Sequence, residues 1–289
     1  MYPEVIVSSG DMSVRSIRNV KEGKTVGLVP TMGALHAGHL QLVDHASRQV
    51  DEVVVSIFVN PTQFGPGEDL DAYPRNLASD VDLLRKQGLA HVVFAPEVIG
   101  MYPFGANKTW VTVEGLGDHL CGASRPGHFK GVTTIVARFF SIIRPDIAFF
   151  GLKDAQQYFI VKRMAKELGF MTQISGIPTV READGLALSS RNQYLNETER
   201  EQAHLLSKAV RLAKEHLESG RSSNASDIVL LMRQELLKAS LGEIDYVSVV
   251  DTHNLIPLTK MVSGTEVLCA VAVQFGKARL IDNSIARLP

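Results

Sequence analysis

Residues 26–43 read VGLVPTMGALHAGHLQLV: a short apolar run, a turn rich in proline and glycine, and then His36 and His39 where a helical pattern begins. A strand that leaves through a glycine turn into a helix is the opening of a parallel α/β sheet. Spacing three puts both imidazoles on one side of the first helical turn. A helix start offers unpaired backbone N–H groups and the positive end of the macrodipole. Two neutral imidazole donors added there concentrate hydrogen-bonding capacity for phosphate oxygens. Gly33 and Gly38 let the backbone come close to such a ligand. From the chain's own histidine and glycine frequencies, an H-x-G-H match is expected by chance only about 0.02 times. Histidines at this spacing can also chelate a metal, but no third ligand follows nearby and His45 falls on another face of the helix.

Outward from this stretch, residues 24 to 176 alternate short apolar runs with longer periodic segments. Strands are predicted at Thr25–Pro30, Glu52–Phe58, His91–Phe94, Asp146–Phe150 and Met171–Ser175, without strict alternation, as expected where both faces of a parallel strand are covered. Helices are predicted at His39–Val50, Val132–Arg144 and Asp154–Leu168, the last two stopped by Pro145 and Gly169. Past Ile177 the composition turns to loop chemistry, and a capping box at Asn196 and Glu199 opens a long helix carrying Leu205, Leu206, Ala209, Leu212, Ala213 and Leu217. A second helix over Ala225–Ser240 and strands at Tyr246–Asp251, Glu266–Phe275 and Ala278–Asp282 complete the pattern. The fold class read from this is α/β: a Rossmann-like parallel sheet over residues 1–176, then a smaller α+β domain over 177–289.

Composition sets limits on function. The 289 residues carry 30 Lys+Arg against 31 Asp+Glu, a net charge of −1, which argues against a nucleic-acid binder. Cys121 and Cys269 lie far apart with no CxxC spacing, so neither a disulfide scaffold nor a zinc ribbon is supported. A basic flank followed by an apolar leader is missing, and no apolar run approaches the roughly 20 residues that span a bilayer. These features predict a cytoplasmic protein with no membrane partner.

Three further motifs leave the carboxyl edge of the predicted sheet or open the second domain. FVNPTQFGPGEDLDAYPR (58–75) offers Asn60 and Gln63, amides able to fix a small polar substrate without adding charge. FFGLKDAQQYF (149–159) sets Lys153 and Asp154 at a turn with Gln157 just beyond, a compact cation for phosphate beside an amide. READGLALSSRNQYL (181–195) supplies Ser189, Ser190 and Arg191, two hydroxyls and a fork-shaped cation suited to a triphosphate. Between them, NLASDVDLL (76–84) starts a helix with Leu77, Val81 and Leu84 inward and Asp80 and Asp82 on its remaining surface, where first-turn acids favour the macrodipole without any ligand.

PTMGALHAGH (30–39) resembles the signature of the HxGH nucleotidyltransferase superfamily. More narrowly, the chain resembles the pantothenate synthetase family, ligases that join pantoate to β-alanine at the expense of ATP. The likeness runs from Thr31 into the second-domain strands with several motifs in family order. It implies an ATP site at Pro30, Thr31, Met32, Gly33, His36, His39, Gly151, Lys153, Asp154, Val180, Leu188, Ser189, Ser190 and Arg191. Pantoate would lie on Met32, Asn60, Gln63 and Gln157, and Asp80 would stand at Mg2+. His36, His39, Lys153, Ser189, Ser190 and Arg191 would carry catalysis through an acyl-adenylate in one cleft between the domains, and the protein would be a homodimer. Thr62, Leu152 and Leu188 depart from the commonest family residues. SRPGHFKGV (124–132) resembles a substrate-side loop carrying Arg125, His128 and Lys130, without defined roles. No residue stands out as the base for the β-alanine amine. A related nucleotidyltransferase acting on another small acid or phosphate, or a nucleotide-binding module without turnover, would share the histidine pair.

Overall fold

Six strands run parallel in the order β1-β4-β3-β2-β5-β6 in the computed structural model, which describes residues 2–289. They are β1 (Glu4–Ile6), β2 (Val26–Thr31), β3 (Glu52–Ile57), β4 (Val92–Phe94), β5 (Ile147–Gly151) and β6 (Gln173–Ile177). Helices α1 (Ser9–Glu22), α2 (Ala37–Ser47), α3 (Leu77–Gln87), α4 (Val98–Met101), α5 (Cys121–Ser124), α6 (His128–Ile143) and α7 (Ala155–Glu167) follow in chain order. The strand order reverses between β2 and β5, so the carboxyl ends of these two strands flank the topological switch point where α/β sheets bind ligands.

The middle strands are apolar on both faces because helices cover both. Val53, Val54 and Val55 are all fully buried. On one face Val29, Val43, Ala46, Val53, Val55, Leu84, Val93 and Phe149 form a continuous core under α2 and α3. In-register pairing sets Pro30 opposite Ser56 and Thr31 opposite Ile57, so the turns after β2 and β3 leave the sheet side by side.

The remaining elements are α8 (Glu197–Ala203), α9 (Leu205–Glu218), α10 (Ala225–Leu236), β7 (Gly242–Asp251), β8 (Glu266–Phe275) and β9 (Ala278–Arg287), the last three forming a separate antiparallel sheet in the order β7-β8-β9. Leu206, Leu217, Ile228, Met232, Val267, Val271 and Phe275 build its core with α9 and α10. Each leucine buried this fully contributes about 2 kcal/mol. The chain groups into two compact units: the first runs from the N-terminus through Val113 with Arg125–Leu152 and Ile160–Pro178, the second comprises Glu114–Ser124, Lys153–Phe159 and Thr179–Pro289.

Local differences from the expected elements have identifiable causes. Strand β1 and helix α1 precede the first predicted strand. Glu4–Ile6 is too short to show a period, and only pairing with Val92–Phe94 makes it a strand. Helix α6 begins at His128, a turn before Val132, because Gly127 takes a left-handed conformation (φ 84°) at its start. The long helix expected after Asn196 is two helices meeting at His204. Strand β9 extends five residues past Asp282, held by pairing from Cys269–Ser284 to Glu266–Arg287.

Candidate active site

Thr31 ends β2 and turns the chain. Its Oγ1 donates to the Ser56 carbonyl at 2.7 Å and accepts the Gly33 N–H at 3.2 Å. Pro30, Thr31, Met32 and Gly33 thus run from the strand into a tight turn in which Gly33 and Ala34 both have positive φ, 84° and 52°. A carboxylate from α3 closes the turn: Asp80 Oδ2 accepts Ala34 N–H at 3.0 Å and Oδ1 accepts Leu35 N–H at 2.8 Å.

His36 then caps α2. Its Nδ1 accepts the Gly38 N–H at 3.1 Å, and His39 Nδ1 accepts the His36 N–H at 3.3 Å, a reciprocal capping box built from two imidazoles. The ring centroids are 4.1 Å apart. A ring nitrogen that accepts from a backbone N–H cannot carry a proton, so each neutral ring holds its proton on Nε2 and donates through that atom. Two orphan donors at the helix start are thereby satisfied by the rings.

The loop after β3 is framed from within. Asn60 is fully buried. Its Oδ1 accepts from Tyr102 Oη at 2.7 Å and Thr62 Oγ1 at 3.0 Å, and its Nδ2 donates to Gly131 O at 3.1 Å. Burial pushes the Tyr102 phenol above its ordinary value, which keeps it a neutral donor. A Cβ at Gly131 would sit 2.2 Å from Thr62 O, so glycine alone lets α6 lie this close. Gln63 is 8% exposed and hydrogen-bonds among the described residues only through its backbone, its carbonyl accepting His128 Nδ1–H at 2.8 Å. Arg125 holds Glu68 through Nε at 2.8 Å and Nη2 at 2.7 Å and approaches His128 Nε2 at 3.1 Å. Lys130 stacks over the Trp110 ring at 4.6 Å. Arg125 and His128 thus strap the loop after β3, a role the sequence left undefined, and Tyr102 emerges as a support that no local pattern signals.

In the second unit, Lys153 Nζ lies 3.5 Å from Asp154 Oδ1, and Asn283 Nδ2 donates to the Lys153 carbonyl at 2.8 Å. Gly151 ends β5 just before this turn, in the first unit. The two glutamines that follow divide. Gln156 is buried: its Oε1 accepts Cys121 N–H at 3.0 Å, while its Nε2 donates to the carbonyls of Leu116 and His119 at 3.0 and 2.8 Å. No described residue hydrogen-bonds the side chain of Gln157.

Residues 180–188 fold back on themselves, Leu188 N–H donating to Val180 O at 2.9 Å, so Val180 and Leu188 stand together before the serine pair. Ser189 Oγ accepts Arg191 N–H at 3.2 Å and starts the short turn Ser190–Tyr194. Asn192 anchors it, donating to Glu182 Oε1 at 2.9 Å and Ala187 O at 3.1 Å, and Arg200 grips Glu182 and Asp184, each at 2.6 Å. Arg200 draws the Asp184 carboxyl below the usual range. Neither Asn192 nor Arg200 was singled out from sequence, although Asn192 directly follows the Ser-Ser-Arg motif.

No cluster of three or more His, Cys, Asp or Glu side chains among the described residues could hold a metal ion. Asp80, expected at Mg2+ and on the helix surface, is 5% exposed and commits both oxygens to backbone N–H groups. Its donor set does not fit a magnesium ligand, which wants several open oxygens. The burial arises because the turn after β2 folds over the first turn of α3, a long-range packing that helix periodicity does not report.

A parallel α/β sheet whose switch point carries a paired-histidine helix start is an α/β architecture with an anion-suited helix terminus where such sheets bind ligands. The chain belongs to the pantoate-beta-alanine ligase family, whose sequence profile matches residues 6–285. The pantothenate synthetase of Salinibacter ruber is 52% identical over 274 residues, covering 93% of this chain and 92% of that one. A crystal structure of pantothenate synthetase from Thermus thermophilus superposes with a TM-score of 0.88 at 43% identity, over 97% of this chain and 98% of that chain. The pantoate-beta-alanine ligase of Francisella tularensis, complexed with beta-gamma ATP and beta-alanine, matches at TM-score 0.78 and 31% identity, over 98% and 97%.

Proposed function

We propose that this chain condenses pantoate with β-alanine to pantothenate, spending ATP and releasing AMP and pyrophosphate through a pantoyl-adenylate. The observation that carries the reading is the His36–His39 capping box in a chain of this family: two Nε2–H donors built into a helix start after the switch-point strand.

In the first half-reaction the pantoate carboxylate attacks the α-phosphorus of ATP. With a reference pKa near 4 it is already ionised, so this step calls for no base. It calls for donors where negative charge grows on the α-phosphate and the departing pyrophosphate. His36 and His39 supply these, while Lys153, Ser189, Ser190 and Arg191 grip the β and γ oxygens and Asp154 contacts the nucleotide. Gln63 and Gln157, whose amides spend nothing on the described residues, hold pantoate with Met32, and Asn60 supports them from beneath. In the second half-reaction the β-alanine amine attacks the acyl carbon and AMP leaves, positioning supplying much of the rate. Magnesium would enter as the phosphate complex of ATP, neutralising phosphate charge.

The reading extends to a homodimer in the cytoplasm. It is supported by the family likeness and compatible with the finding that no described helix is long and apolar enough to cross a membrane. Pyrophosphate exchange into ATP tests the whole: exchange that depends on pantoate supports the ligase, exchange with another acid points to a related nucleotidyltransferase, and nucleotide binding without exchange points to a non-catalytic module. Sedimentation analysis tests the dimer.

A further inference from the structure

We infer that Asp80 is a positioning residue that sets the two histidines, acting through the backbone of residues 33–35 and holding no metal. The inference rests on the proposed reaction only where its rate is read.

The turn after β2 has to deliver His36 at the start of α2 within three residues of Gly33. It does so by placing Gly33 at φ 84° and Ala34 at φ 52°, and the second of these is costly for a residue with a Cβ. A backbone held in that region persists only when its surroundings over-determine it. Asp80 does this. Its two oxygens take the Ala34 and Leu35 N–H groups at 3.0 and 2.8 Å, which points both amides at one carboxylate and fixes the peptide planes leading into His36. The approach is close enough that a Cβ on Gly33 would meet Asp80 Oδ2 at 2.9 Å, so the glycine is required by the carboxylate as well as by its own φ.

Asp80 is itself held. It lies in the first turn of α3, its N–H bonded to Asn76 O at 3.1 Å, while Asn76 Oδ1 caps the helix by accepting Ser79 N–H at 3.0 Å. The chain of contacts therefore runs from a helix cap, through a buried carboxylate, to a strained turn, and ends at the imidazoles. From His36 onward the capping box transmits the constraint, because the His36 N–H that bonds His39 Nδ1 belongs to the residue next to Leu35. A carboxylate that releases either amide to bind a cation would loosen the turn it holds.

The test uses the full chain, wild type and the near-isosteric Asp80→Asn, with Asp80→Ala as the harsher change. In wild type, native-state hydrogen exchange should show the Ala34 and Leu35 amides protected; exchange of both at open-loop rates overturns the inference with no variant needed. Imidazole 15N spectra of the substrate-free protein should show His36 and His39 with the proton on Nε2. In D80N these signals should move toward the mixed tautomers of an unconstrained histidine, while the melting transition stays cooperative.

In pantoate-dependent pyrophosphate exchange, D80N should lose about 100-fold in kcat, the scale of a reacting group misplaced by an ångström, with the magnesium midpoint unchanged. A midpoint that rises tenfold while the histidine signals stay at their wild-type positions makes Asp80 a metal ligand and overturns the inference. If wild type shows no pantoate-dependent exchange, the functional reading fails, yet the amide and imidazole spectra still decide the role of Asp80.

Discussion

A Cβ placed on Gly38 would lie 2.9 Å from Cε1 and 3.0 Å from Nδ1 of His36, so the glycine of the H-x-G-H motif exists to make room for the first imidazole. The same ring accepts the Gly38 N–H at 3.1 Å, and the close approach is what permits that bond. Stability and rate should therefore separate in Gly38→Ala. Alanine in place of glycine favours the helix by roughly 0.5–1 kcal/mol. Displacement of the His36 ring should nevertheless lower kcat by about 10- to 100-fold. Thermal melts beside steady-state kinetics read both effects, and a variant with unchanged kcat would show that the ring has slack.

Loss of one imidazole tests the donor role directly. His39→Ala should cost roughly 100- to 1,000-fold in kcat, the scale of a lost oxyanion donor, with a much smaller change in KM for pantoate. Turnover at the wild-type rate would remove His39 from the mechanism.

Adjacent glutamines should give opposite phenotypes. Gln156→Ala abandons one buried N–H and two carbonyls, at a cost of about 3 kcal/mol in unfolding free energy, read from denaturant titration. Gln157→Ala removes an amide with no hydrogen bond to the described protein and should leave the denaturant midpoint within experimental scatter while raising KM for pantoate severalfold. Equal destabilisation of both would mean that Gln157 is structural.

The Glu68–Arg125 pair should make the strap on the loop after β3 sensitive to acid. The Arg125 guanidinium, through its hydrogen bonds, holds the Glu68 carboxyl below its ordinary value of 4.5, and burial works against that shift. At neutral pH the carboxylate is charged in both folded and unfolded chains and the pair contributes its full share. As pH falls past the unfolded value the unfolded chain takes up the proton first, and the contribution is gone once the folded pKa is passed. The gap in stability between wild type and Glu68→Gln should thus be constant above about pH 6 and close as pH drops below about 4. A gap that survives into strong acid would show that the charge is not what holds the strap. Both side chains reach solvent, so added salt should narrow the gap at neutral pH.

Asn192→Asp should loosen the Ser189–Arg191 turn, because a carboxylate would face the Glu182 carboxylate and the Ala187 carbonyl where an amide now donates to both. The expected result is KM for ATP raised about tenfold, the order of one lost charge-assisted hydrogen bond, and KM for pantoate unchanged. A rise in both constants would mean that the defect spreads beyond the nucleotide.

What the amino-acid sequence alone determined were the features encoded within one element or at one junction. The apolar strands, the helix that starts at the histidine pair, the capping box at Asn196 and Glu199, the parallel α/β class and the presence of strands near the C-terminus all rest on local period and turn chemistry, which neighbouring residues specify among themselves. The chemically loaded residues were legible for the same reason, since His36, Lys153 and Arg191 stand in short motifs. Tertiary structure alone decided which groups those residues would have to share. Asp80 reads as a surface acid until the turn after β2 folds over it, the partners of the Asn60 amide, Tyr102 and Gly131, are named by no local pattern, and Gln156 is set apart from Gln157 only by the 116–121 backbone that claims its amide. In each case the partner lies between 35 and 71 positions away in the chain. A buried polar group must find a partner wherever the packing puts one, and that choice is made by three-dimensional proximity, which no local pattern carries.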